Sequence, residues 1–143
     1  MKRTQENGSM TIYNNIENGK YEQVETPYII IGRDENFLRC VFNDQLEVNL
    51  EVAKNCVENR IRFSNGLSYP CLIDMKGVRS ISKDAREYLA TEGARNIKAG
   101  ALIIDSALSK MVGNIFLTIN KPAVPTKLFT NELEAKEWLK KYL

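Results

Sequence analysis

The stretch Tyr69-Pro-Cys-Leu-Ile-Asp-Met-Lys-Gly-Val-Arg-Ser-Ile-Ser-Lys-Asp-Ala-Arg86 decides the fold. Tyr69 to Asp74 is an almost unbroken apolar run of strand length, the pattern of a strand buried on both faces, as parallel strands are. A short loop from Met75 to Ile81 follows. Ser82 then stands where a helix N-cap belongs, its hydroxyl able to accept from a free first-turn N–H. Asp84, in that first turn, complements the helix dipole. Ala85, Tyr88 and Leu89 fall on the inward face, and Gly93 marks the end of the helix.

The same alternation continues in both directions. Toward the C-terminus, Ile97 to Ile104 is a second buried strand, and Leu108, Met111, Val112, Ile115, Phe116 and Ile119 form a helical stripe. Pro122 and Pro125 frame a rigid loop before a short strand, Thr126 to Phe129, because neither continues a helix. Asn131 with Glu134 caps a last helix whose apolar face is Ala135, Trp138, Leu139 and Tyr142. Toward the N-terminus, Asn49 caps a helix carrying Val52, Ala53, Cys56, Val57 and Ile61, closed by Asn65-Gly66, where glycine tolerates the left-handed conformation. Before it, Tyr28 to Ile31 and Phe37 to Phe42 read as a hairpin with Arg33-Asp34-Glu35-Asn36 as its loop. Phe37, Arg39 and Val41 face one way, and Leu38, Cys40 and Phe42 the other. A short strand over Ile12 to Ile16, closed by Asn18-Gly19, precedes them. The expected order is β-β-α-β-α-β-α-β-α. It describes an α/β fold with a mixed sheet, parallel core strands joined by right-handed crossovers, and helical cover. Residues 1–20 read as a polar, partly disordered lead-in and residues 21–143 as a single domain.

Composition narrows the chemistry. The chain has 143 residues, 43% hydrophobic and 27% charged, enough to build a core without disulfide or metal support. The net charge of +2 does not argue for a nucleic-acid groove. Histidine is absent, which removes the commonest general base, the Ser-His and Cys-His pairs and every His-containing metal site. Cys40 and Cys71 lie in strands and Cys56 on an apolar helix face, with no Cys-x-x-Cys pair. They read as buried reduced thiols, in keeping with a cytoplasmic protein. No segment is long and apolar enough for a bilayer span, and residues 1–10 lack the apolar core of a secretory signal. No catalytic set, metal cage or Gly-rich phosphate loop is visible. The expectation is a non-enzymatic protein without cofactor or metal.

The segment Cys71-Leu-Ile-Asp74-Met-Lys-Gly77-Val78-Arg-Ser-Ile81-Ser82-Lys-Asp84-Ala85 resembles the middle of STAS domains, the SpoIIAA-like anti-sigma-factor antagonists. In that family an apolar strand ends in an acid, a Gly-Val loop follows, and Asp-Ser-Ser/Thr-Gly opens a helix. Uncharacterised bacterial SpoIIAA-like proteins share the Pro-x-Leu-Ile-Asp stretch, a helix ending in Asn114-x-Phe116, and the Pro122-x-x-Pro125-Thr126-x-Leu128-Phe129 segment. The resemblance covers roughly residues 28–143 and implies a regulatory module that docks a protein partner. It departs from the family at one decisive place. Ser82-Lys83-Asp84-Ala85 stands for Asp-Ser-Ser/Thr-Gly, so the family's phosphorylated hydroxyl falls on Asp84. Ser82 is the alternative phosphosite, against a plain N-cap.

Two candidate sites follow. Asp74, Lys76, Arg79, Ser82, Lys83, Asp84 and Arg86 cluster in sequence around one strand-to-helix junction. Open α/β sheets collect ligands beyond the carboxyl ends of parallel strands, so this junction is the expected partner- or anion-binding surface. The bland alternative is a solvated loop with ordinary surface charge pairs. The second candidate is the helix from Leu108 to Ile119, where Met111, Ile115, Phe116 and Leu117 give a broad apolar arc. Deep core burial is one account of that arc. An apolar ligand site or a homodimer face is the other. The SpoIIAA-like fold is shared with the CRAL-TRIO lipid carriers, so the resemblance leaves binding of a small apolar molecule or lipid as the rival to partner docking.

Overall fold

The structure, a computed structural model, describes residues 2–7, 10–15 and 21–143, with side chains from residue 22 onward. The main sheet runs β1(Lys2–Asn7), β2(Met10–Asn15), β3(Tyr21–Glu25), β4(Ile29–Asp34), β5(Phe37–Phe42), then β7(Tyr69–Asp74), β9(Ile97–Ile103) and β10(Thr126–Phe129). The ladders from β1 to β5 are antiparallel, and β5, β7, β9 and β10 are parallel. This is the mixed sheet with a parallel core expected from the sequence. Between the parallel strands lie α1(Leu50–Phe63), α2(Lys83–Ala90) and α3(Ala107–Ile115), and α4(Glu132–Leu139) closes the chain. The strand expected over Ile12 to Ile16 corresponds to β2. Residues 1, 8–9 and 16–20 of the expected lead-in, including Asn18-Gly19, lie outside the described residues.

Period-two alternation sorts the two faces of the sheet. On β9, Ala99, Ala101 and Ile103 pack with Leu72, Phe37, Ala135 and Leu139 beneath α4. Leu102 and Ile104 point the other way, into a larger core with Ile31, Cys40, Val52, Cys56, Ala85 and Val112 from β4, β5 and helices α1 to α3. Three helices therefore cover one face and α4 alone the other. Two ion pairs fix α4: Arg39 to Glu132 at 2.6 Å and Lys136 to Asp34 at 2.8 Å. The Arg39 hydrogen bond holds the Glu132 carboxyl below its ordinary range.

Three local readings are corrected. The hairpin loop is only Glu35-Asn36, because β4 continues through Gly32 and Arg33 to Asp34, which pairs with Phe37. Glu35 takes a left-handed φ of 57° to make that tight turn. The stretch Met75 to Ile81 is not all loop. Val78–Ile81 is strand β8, which pairs in parallel with β6(Leu46–Val48) in a small second sheet. Its buried ends, Val78 and Ile81, flank exposed Arg79 and Ser80, a four-residue pattern without the period-two alternation by which a strand is read. Finally, the stripe of α3 is not uniformly core. Val112 and Gly113 are buried against the sheet, whereas Leu108 and Met111 are 44% and 53% exposed, and Ile119 is 68% exposed. Beyond Ile115 the chain winds into a π turn, closed by the Lys121 N–H donating to the Phe116 carbonyl at 3.2 Å, which rotates the following residues off the helical stripe.

The small sheet depends on one close approach. The Leu46 N–H donates to the Gly77 carbonyl at 3.0 Å. A Cβ on Gly77 would lie 2.5 Å from the Asn43 carbonyl oxygen and 2.9 Å from the Asp44 Cα, both backbone atoms that cannot swing away. Gly77→Ala should therefore destabilise the protein by about 1–3 kcal/mol, the usual cost of overpacking, read as a lowered urea midpoint. An unchanged midpoint would show that the two loops do not meet this way.

Candidate functional site

The first set of sequence-selected residues divides across the sheet. Asp74 shares the face of Leu72 by strand alternation and is 5% exposed. Its carboxylate accepts the Lys76 N–H at 3.0 Å and pairs with Lys76 Nζ at 3.5 Å, so both residues close the β7–β8 turn. Ser82, Lys83, Asp84 and Arg86 belong to α2, which packs on the opposite face. Arg86 is tied down, Nη1 donating to the Ile81 carbonyl at 2.8 Å and Nε to Asn120 Oδ1 at 3.0 Å. Arg79 and Lys83 face solvent, with no ion pair among the described residues.

At the start of α2, the Ser82 hydroxyl accepts the Ala85 N–H at 3.4 Å and donates to Asp84 Oδ1 at 2.5 Å. Ser82 is thus the N-cap, as its position before the apolar face predicts. The same hydrogen bond, helped by the Ala85 N–H, holds the Asp84 carboxyl below the ordinary carboxylate range. All three thiols are free and buried. Burial pushes Cys40 up to about 11 and Cys56 up to about 12, and Cys71 higher still. Among the described residues no group of three or more His, Cys, Asp or Glu is placed to hold a metal. No described helix is long and apolar enough to cross a membrane.

A different site emerges between the sheet and helices α1 to α3. A cavity of about 100 Å³ lies there, floored by Ile73 and Gly100 and walled by Cys40, Cys56, Leu89 and Phe116. The Pro122–Thr126 connection contributes to its rim. Gly100 supplies the space: a Cβ there would first meet the Ile73 Cδ1 and Thr126 side-chain atoms at 3.7–3.8 Å, ordinary contact distances. Apart from Thr126, one polar side chain lines the cavity, that of Arg60. Arg60 is 5% exposed, and its Nη2 donates to the Gly93 and Arg95 carbonyls, each at 2.9 Å. Its Nη1 is buried without a hydrogen-bond partner.

Of the second sequence-selected set, Phe116 lines this cavity. Met111 is exposed, and Ile115 and Leu117 are half-buried. Arg60 went unselected, although its signal is present. It stands four residues after Cys56 and seven after Ala53, on the buried stripe of α1 where an arginine is out of place. The floor residue Gly100 gives no such signal, because a glycine in a strand marks a close approach as readily as a void.

Comparison with known proteins now places the chain. It belongs to the family described as a domain of unknown function, DUF7793, whose model matches residues 31–143. No curated protein matches it. Among solved structures it is similar to an uncharacterised protein of the DUF3478 family with a SpoIIAA-like fold from Shewanella loihica PV-4, at 18% identity and a TM-score of 0.55, over 78% of this chain and 91% of that one. That likeness carries the fold alone, and the fold is the SpoIIAA-like one expected from the sequence.

Three measurements check the site chemistry. The native protein should leave a thiol reagent unconsumed at pH 8, and urea should release the three cysteines to react. Because folding raises the thiol values above the ordinary 9.0, the unfolded chain ionises first, so stability should fall as pH rises past about 9. Asp84 has the opposite sign. Its contribution is present above the ordinary carboxylate value and is lost as pH falls through its lowered one. Carboxyl NMR titration should show Ser82→Ala moving Asp84 back toward the ordinary range.

Proposed function

We propose that this DUF7793 protein is a non-enzymatic binding module whose working site is the cavity between the sheet and helices α1 to α3, and that it holds a small, largely apolar molecule there. The observation that carries this reading is the lining itself. A cavity of about 100 Å³, walled by Ile73, Leu89, Leu102 and Phe116, has the size order of one that admits a single benzene-sized molecule. Native interiors leave few voids of this size, because each unfilled contact forfeits packing energy. The reduced, buried thiols fit residence in the cytoplasm.

A second reading keeps the surface around β8 and the start of α2 as a docking site for a protein partner. It is favoured by the solvent-facing cations Arg79 and Lys83. Lys83→Glu should then weaken capture of that partner without changing the unfolding midpoint, and undiminished capture removes this surface from consideration.

The cavity reading is tested with hexanoate, 1-hexanol, benzoate and benzyl alcohol as probes. At least one should raise the melting temperature in proportion to the logarithm of its concentration, as a ligand of the folded state does. Native mass spectrometry should show a non-covalent adduct. Gly100→Val, which places two methyl groups on the cavity floor, should abolish both signals. A protein that ignores all four probes and carries no adduct has no ligand site here.

A further inference from the structure

The cavity has one polar group whose aim the backbone fixes. Thr126 on β10 stands directly beside Gly100 on β9 in their parallel register. Residues paired in this way share a face of the sheet, and alternation puts Gly100 on the face of Leu102, toward α1, α2 and α3. The Thr126 side chain therefore borders the space that Gly100 leaves open. The distances agree: a Cβ on Gly100 would lie 3.7 Å from Thr126 Cγ2 and 3.8 Å from Thr126 Oγ1. That oxygen can only accept. A threonine hydroxyl has one hydrogen and two lone pairs. Its hydrogen is already given to the Val124 carbonyl, at 2.9 Å. Among the described residues no N–H or O–H donates to it. The other polar lining side chain plays no part, since Arg60 spends Nη2 on the Gly93 and Arg95 carbonyls and its Nη1 is buried. The thiols of Cys40 and Cys56 are weak donors. The lining side chains therefore present hydrocarbon and one acceptor.

We infer that the occupant is a small neutral hydroxyl compound, an alcohol or phenol, whose O–H donates to Thr126 Oγ1 while its apolar body lies over Gly100 toward Ile73 and Phe116. The inference rests on the cavity reading above and adds the chemical class of the occupant. A hydroxyl is preferred to a carboxylate of the same skeleton for two reasons. An ionised carboxylate has no hydrogen to donate, so it would meet an oxygen that also only accepts. It would also bring an unpaired charge into an apolar wall. A hydroxyl is preferred to a plain hydrocarbon because the hydrocarbon covers the Thr126 lone pairs and leaves them unmet, the costly half of a hydrogen bond.

The experiment uses three probes with one ring, benzyl alcohol, toluene and benzoate, measured by calorimetry on the full chain at pH 7. Benzyl alcohol should bind more tightly than benzoate. Thr126→Val keeps the branched shape and removes the acceptor. It should weaken benzyl alcohol about two- to tenfold, the net worth of one neutral hydrogen bond, and leave toluene as tight or tighter. Thr126→Ser keeps the hydroxyl and should preserve the native ratio of benzyl alcohol to toluene. A loss shared equally by benzyl alcohol and toluene in Thr126→Val would mean that Thr126 only packs, and it overturns the hydroxyl assignment while leaving the cavity reading in place. No change for either probe, or benzoate binding as tightly as benzyl alcohol to the native protein, overturns it too. Should Thr126→Val fail to fold, the native comparison and Thr126→Ser still decide. Failure of every probe to bind removes the cavity reading and this inference together.

Discussion

The constraint on which the structure turns is that β7 and β9 are parallel strands in mid-sheet and must be covered on both faces. Their residues leave no polar side to turn toward water: Pro70, Cys71 and Leu72 on one strand and Ala99 to Ile103 on the other are all buried. Each connection between parallel strands lays a helix on the same face, as right-handed crossovers require, so α1, α2 and α3 accumulate there. The opposite face is left to a single helix that comes after the last strand. That division explains why α4 is held so firmly. It is only Glu132–Leu139, yet Ala135 and Leu139 are fully buried, Trp138 stacks between Phe129 and Tyr142 at 5.6 and 5.0 Å, and two ion pairs pin its polar side. The ion pairs are about one-third exposed and contribute little by themselves; the aromatic and alanine contacts carry the docking.

The crowded face has the opposite difficulty. Three helices of unequal length must share one twisted surface, and α2 is only two turns long. Between them the sheet floor carries Gly100 where its neighbours carry Leu102 and Ile104, and the space above it stays open. Arg60 crosses from α1 to the turn after α2 along the edge of that space. Its Nη2 holds the turn, and its Nη1 is buried without a hydrogen-bond partner.

How much of this was legible in the sequence depends on whether a residue's role is local. The boundaries of β7, β10 and the caps at Asn49, Ser82 and Asn131 could be read because apolar runs and capping residues act over a few positions. The pairing of β6 with β8 could not be read, since three- and four-residue strands carry almost no periodic signal and are ordered by the Gly77 contact from outside. The α3 stripe misled for a related reason. A hydrophobic arc states which side of a helix is apolar, but not how much neighbouring structure is there to cover it, and the π turn after Ile115 breaks the stripe's period. The cavity was least legible of all, because a void is a relation among β5, β7, β9, α1 and α2 that no one segment encodes.

The junction of β7, β8 and α2 shows how a motif can preserve a fold while its chemistry is reassigned. In SpoIIAA-like regulators the start of this helix presents a hydroxyl to a kinase. Here the corresponding residue is Asp84, and its carboxylate is engaged inside the turn, accepting from the Ser82 hydroxyl at 2.5 Å and the Ala85 N–H at 2.9 Å. That arrangement satisfies free N–H groups at a helix start, which any SpoIIAA-like fold must do at this position. It also disfavours Ser82 as a replacement phosphosite. A phosphoryl group there would lose the O–H that Ser82 donates to Asp84 and set a near-dianion against that carboxylate, a repulsion that offsets the gain a phosphate makes at a helix N-terminus. The aspartate therefore secures the local structure at the place where the resembling family carries a hydroxyl. The chain thus keeps the SpoIIAA-like scaffold while a carboxylate locked into the helix start stands where the resembling family carries its phosphorylated hydroxyl.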